Sequence, residues 1–93
     1  MKYELVLSGR FKKGLKAAKK RGLDISLLKS VVDNLLQGVP LDEKYKDHQL
    51  KGNWDGFREC HIQPDWLLIY LIEDDILTLT LVEAGTHADL YKK

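Results

Sequence analysis

The spacing of hydrophobic positions changes twice along this chain. Tyr3, Leu5 and Leu7 alternate with Glu4 and Val6, which predicts a first strand over residues 3–7. Ser8 then offers a capping hydroxyl for a helix running to about residue 21, with Gly22 as its stop. Phe11, Gly14, Leu15 and Ala18 share one face of that helix at three- and four-residue spacing. Asp24 or Ser26 caps a second helix ending near Gln37, whose apolar stripe is Ile25, Leu28, Val32, Leu35 and Leu36, and Gly38 closes it. Two helices with so short a connection form a hairpin.

Residues 39–56 hold Pro40, Gly52 and Gly56 among many polar side chains, and read as a loop with a short irregular strand near residues 48–51. Beyond it the period becomes two. Strands are predicted over residues 57–62, 66–73 and 76–82, with turns at Gln63-Pro64-Asp65 and Glu73-Asp74-Asp75. Turns this short make antiparallel neighbours. The run from Trp66 to Ile72 is apolar on both faces, as a central strand should be, whereas Thr78 and Thr80 alternate with Leu77, Leu79 and Leu81. After Gly85, Thr86 can cap a terminal helical turn over residues 86–91. The expected fold is α+β in two layers: an N-terminal strand, a helix hairpin and an antiparallel β-meander, the helices covering one sheet face and leaving the other partly open.

At 93 residues the chain is long enough for one core, so a single domain over residues 1–93 is expected. The hydrophobic share of 44% and charged share of 31% exclude a disordered composition, and no apolar run approaches the span of a bilayer. The N-terminus lacks the pattern of a secretory signal. One cysteine, Cys60, makes no internal disulfide; together these features suit a cytoplasmic protein without membrane contact. The net charge of +1 conceals an asymmetry: residues 1–30 carry nine Lys or Arg against two acids, and the remainder six against twelve. Much of that excess, Arg10, Lys12, Lys13, Lys16, Lys19 and Lys20, lies on the first helix. Such clustering suits a polyanion or an acidic protein partner, and equally a plain solvated face.

The three histidines each stand in a short segment with a carboxylate: Asp47-His48, His61 with Asp65, and His87 with Asp89. Alternation places Phe57, Glu59 and His61 on one face of their strand, and Arg58, Cys60 and Ile62 on the face toward the helices. His61 then faces the open side near Asp65, although an exposed strand histidine beside a turn aspartate is the plainer account of that pair. If the last strand pairs with residues 66–73, its end returns His87 toward Asp65, and the loop carrying His48 can reach the same edge. Several imidazoles suit acid–base chemistry near neutral pH, and cleavage of RNA by its own 2′-hydroxyl needs a proton acceptor, a proton donor and positive charge, but no metal. Trp66 and Tyr91 can stack on exposed bases. A zinc site on His48, His61, His87 and Asp65 is the rival, with spacings that match no familiar ligand pattern. Cys60, on the inward face, is a poor nucleophile candidate.

The runs Tyr45-Lys46-Asp47-His48, Leu50-Lys51-Gly52-Asn53-Trp54, Phe57-Arg58-Glu59-Cys60-His61-Ile62-Gln63-Pro64-Asp65-Trp66 and Gly85-Thr86-His87-Ala88-Asp89-Leu90-Tyr91 resemble the YafQ branch of the RelE/ParE superfamily of type II toxins. The resemblance implies a RelE-like fold and a ribosome-dependent mRNA endonuclease without cofactor, neutralised by a cognate antitoxin. It implies functional positions at His48, His61, Asp65, Trp66, His87 and Tyr91. His48 would be the base for the 2′-hydroxyl, His87 with Asp65 nearby the donor to the leaving oxygen, and His61 the holder of the phosphate. Relatives often carry arginine where this chain has Glu83, which would move phosphate stabilisation onto His61, Lys51 or Arg58. The basic helix would bind ribosomal RNA. A ParE-like protein-binding toxin and a metal-binding module are the alternatives on the same fold.

Overall fold

The computed structural model describes residues 2–85. Strand β1 (Glu4–Leu7) leads into helix α1 (Gly9–Lys20) and helix α2 (Ile25–Gln37). Two 3₁₀ turns, Glu43–Tyr45 and Gly52–Trp54, flank the two-residue strand β2 (His48–Gln49). Strands β3 (Arg58–Gln63), β4 (Trp66–Glu73) and β5 (Ile76–Ala84) follow. The sheet order is β1-β5-β4-β3-β2, so β4 is the middle strand, as its two apolar faces require. All pairings are antiparallel except β1 with β5, which run parallel because the helix hairpin carries the chain back across the sheet.

Both helix starts are those expected. Ser8 accepts the Phe11 N–H at 3.0 Å, and Asp24 caps α2 by accepting from the Ser26 N–H at 3.0 Å. Gly38 ends α2 in the left-handed region, φ 73°. Phe11 and Ala18 of α1, and Leu28, Val31, Val32, Leu35 and Leu36 of α2, bury against Cys60, Ile62, Trp66, Leu68, Tyr70, Leu77, Leu79 and Val82 of the sheet. Contact between α1 and β5 is close enough that a Cβ on Gly14 would stand 1.9 Å from the Val82 carbonyl oxygen. A side chain there would force the layers apart.

The strict alternation expected of β5 breaks at Thr80. The register with β4 shifts between Ile69 and Tyr70, leaving Thr80 as an extra residue, and beyond this bulge Val82 takes the inward place that alternation assigned to Leu81. The bulge is tied to α1, since Ser8 donates from Oγ to the Thr80 carbonyl at 2.5 Å and from its N–H to Leu79 at 3.0 Å. The second face, expected to be partly open, is open at its β2 edge, where His48 is exposed, and closed at its centre. Glu59, Leu67 and Ile69, which point away from the helices, are fully buried, so that face is covered at its centre. Among the described residues no helix is long and apolar enough to cross a membrane.

Candidate functional site

Strand register assembles the site. His48 of β2 stands directly opposite Glu59 of β3, and His61 lies two residues further along β3 on the same face. The two imidazole rings are 6.4 Å apart between centroids. Between them sits the Glu59 side chain, 0% exposed, with Oε1 3.2 Å from His48 Nε2 and 3.7 Å from His61 Nε2. A carboxylate out of water is stable only with partners that carry or share a proton. The other ring nitrogens face backbone carbonyls: His48 Nδ1 lies 2.6 Å from the Lys46 oxygen, and His61 Nδ1 lies 3.2 Å from the Pro64 oxygen. A carbonyl only accepts, so each Nδ1 is assigned the donor role, and each Nε2 is the ring atom beside the shared carboxylate. A register shift between His61 and Gln63 bends β3 where His61 is aimed.

The segment bearing His48 is held from the opposite face of the sheet. Asp47, one residue before His48, points toward the helices, where its Oδ1 accepts from the Tyr70 hydroxyl at 2.5 Å and from Arg58 Nε at 3.3 Å. Burial, and next the hydrogen bond to Asp47, push the Tyr70 phenol well above its usual range, so it stays a donor. Burial pulls the Arg58 guanidinium down, but its bonds to Asp47 and Tyr70 outweigh this and raise it. Burial, with Asp47 and Glu59 adding, pushes the Cys60 thiol up to about 12, which leaves it inert as a nucleophile.

The family model described as bacterial toxin of type II toxin-antitoxin system, YafQ, matches residues 3–92. The chain belongs to this family. It is 40% identical over 89 residues to the mRNA interferase toxin YafQ of Escherichia coli K12, with 95% of each chain covered. The fold superposes on YafQ in the E. coli DinJ-YafQ complex with a TM-score of 0.85 at 40% identity, over 96% of this chain and 98% of that one. A metal-bound toxin from Helicobacter pylori gives a TM-score of 0.85 at 44% identity, over 96% and 99% of the two chains.

The YafQ-type site residues expected from sequence divide under this geometry. His48 and His61 come together. Asp65 sits exposed in the β3–β4 turn, and its carbonyl accepts the Gly85 N–H at 2.6 Å, so the end of β5 does return to Asp65. His87 and Tyr91 lie outside the described residues. Arg58 requires correction as a substrate contact: it occupies the helix-side face, paired with Asp47, with the sheet between it and the imidazoles. Trp66 likewise is a core residue, 2% exposed and too buried to offer a ring face for stacking; it lies on the inward face with Leu68 and Tyr70 and only borders a cavity with Asp65. Lys51 is exposed before the turn Gly52–Trp54. The cationic side chains of α1, Arg10, Lys12, Lys13, Lys16, Lys19 and Lys20, are all exposed. Among the described residues no group of three His, Cys, Asp or Glu stands where it can hold a metal ion.

Glu59 was not among the residues expected to act. Its place two residues before His61 was a legible signal, since period-two alternation puts both on one face. Its burial was not, because a charged residue on a strand ordinarily faces solvent.

Proposed function

We propose that this chain is a cytoplasmic, ribosome-dependent mRNA endonuclease, held inactive by a cognate antitoxin, that cuts by attack of a ribose 2′-hydroxyl on the adjacent phosphate. The observation that carries this reading is the Glu59 carboxylate buried between the Nε2 atoms of His48 and His61. As the 2′-oxygen bonds to phosphorus, its proton passes to His48 Nε2, and Glu59 offsets the charge the ring gains. His61 holds a nonbridging oxygen through its Nε2 proton. The bond from phosphorus to the 5′-oxygen breaks, and that oxygen takes its proton from His87, the donor that the family resemblance implies together with Asp65. The products are a 2′,3′-cyclic phosphate and a free 5′-hydroxyl.

The exposed cations of α1 suit ribosomal RNA, whose phosphates offer a dense anionic surface and need no base contact. An acidic antitoxin segment would compete for the same face. Relatives named mRNA interferase toxin, and a relative solved with DinJ, support both halves of the reading.

The test is a translation reaction in which cuts in mRNA are mapped for the wild type and for His48→Ala, Asp65→Ala and His87→Ala. Cutting should fall by about 100-fold or more in each, with the circular dichroism spectrum unchanged. Variants that cut like the wild type would refute the assignment. Growth arrest by a wild-type protein that cuts no mRNA would favour the protein-binding alternative.

A further inference from the structure

A cavity of about 620 Å³ opens at His61 and runs away from Glu59, which does not line it. Leu27, Tyr45, Ile62 and Pro64 give it apolar lining, and Lys44 and Lys46 line it too. Gln63 adds an amide that both donates and accepts, and among the described residues no carboxylate lines the cavity. The volume falls within the range of small-ligand sites. An apolar and aromatic lining, an amide and two cations together match the parts of a nucleotide: a base with a hydrogen-bonding edge, and a phosphate.

Its position ties it to the imidazoles. His61 is itself one wall. The two residues whose carbonyls orient the rings, Lys46 for His48 and Pro64 for His61, both line the same cavity. Lys46 has φ 51°, a left-handed conformation that turns its carbonyl to the His48 ring. A group seated here therefore rests against the backbone that aims both rings. The ammonium of Lys44 lies 5.2 Å from the centre of the Tyr45 ring, which keeps a cation over the aromatic wall.

We infer that this cavity is a nucleotide subsite: it takes the base and phosphate of an mRNA residue next to the scissile bond, and Gln63 reads the edge of that base. The inference rests on the RNA-cleaving function proposed above and adds where sequence preference would come from. The apolar wall holds any base, the lysines hold the phosphate, and the amide discriminates, because a base that leaves it unpaired loses a desolvated hydrogen bond.

Two measurements test it. In the first, the full chain is titrated at millimolar concentration with a short single-stranded RNA carrying one 2′-deoxyribose, which cannot be cut by 2′-hydroxyl attack, and followed by NMR. The largest shifts are expected at Tyr45, Lys46, Gln63 and His61, and Lys44→Glu with Lys46→Glu should remove them. Shifts confined to α1 would overturn the proposal. In the second, mRNAs differing only in the base beside the cut are compared in a translation reaction. Gln63→Leu should change the ratio of cutting between them by tenfold or more; an equal change for every base would overturn the proposal. Should the wild type cut no mRNA at all, the nuclease fails, and the titration still decides the cavity: RNA-induced shifts at Tyr45 and Gln63 keep it as an RNA site, and their absence removes it.

Discussion

Tyr70 donates its phenolic hydrogen to Asp47 across 23 residues of chain, joining the middle strand to the loop that presents His48. Asp47 and His48 are neighbours in sequence and serve opposite faces of the sheet. The aspartate is clasped on the helix side, and the histidine thereby emerges on the other, against Glu59. Strand alternation makes this possible with two residues of β2, too few for pairing alone to hold a ring in place.

Removing the Tyr70 hydroxyl should loosen that clasp. Tyr70→Phe leaves a charged acceptor short of one donor, so a loss of about 1.5–3 kcal/mol in unfolding free energy is expected. Cleavage should fall by roughly tenfold at temperatures where the variant stays folded, because a misplaced ring lowers the turnover rate more than it weakens binding. Urea unfolding and single-turnover cleavage check the two separately. Full activity in Tyr70→Phe would show that the clasp does not position His48.

Glu59→Gln keeps the shape between the two imidazoles and removes the charge. If the carboxylate offsets the charge that His48 gains, cleavage should drop by about 100-fold while the urea midpoint moves little. A variant that cuts at the wild-type rate would reduce Glu59 to a structural group.

Glu83 lies in one cross-strand row with Leu67 and His61, on β5, β4 and β3. Two strand spacings put it roughly 10 Å from His61 along the sheet, near enough for its charge to reach a bound phosphate. Glu83→Arg replaces a repulsive group with an attractive one and should raise cleavage by about three- to tenfold, with stability within about 0.5 kcal/mol because the position is exposed. The gain should shrink as salt is added. No gain at low salt would contradict the placement of the phosphate over His61.

Alkaline stability follows from Cys60 and Tyr70. The fold holds the Cys60 thiol up to about 12 against an ordinary 9.0, and raises Tyr70 from 10.0. In both the protonated form is favoured by the folded state, so the stabilisation is complete below the ordinary value and is lost as pH rises above it. The unfolding free energy should be level near neutrality, then fall by about 1.4 kcal/mol per pH unit once the unfolded thiol ionises, and more steeply once the unfolded phenol does too. Urea titrations stepped from about pH 8 to about 10.5 measure this, and Cys60→Ala should delay the onset by about one pH unit. A flat profile through that range would contradict the burial of these groups.

Local rules carried much of this fold from the sequence alone. Ser8, Asp24 and Gly38 marked helix ends because capping and left-handed turns depend on neighbours within a few residues. The apolar run of β4 announced a central strand, and alternation placed Glu59 with His61. The basic face of α1 needed only the helical period. The rest depended on residues far apart in the chain. The bulge at Thr80, the parallel pairing of β1 with β5 and the closed centre of the second face arise when strands meet, and none leaves a local mark. Arg58 and Trp66 read as substrate contacts because charge and aromaticity are visible in a sequence, whereas the face a side chain takes and the partner it finds are not. Tertiary structure alone decided that Arg58 serves Asp47 and that Trp66 fills the core. It also buried Glu59 between two imidazoles, since a carboxylate leaves water only where the fold brings distant proton-bearing partners to meet it.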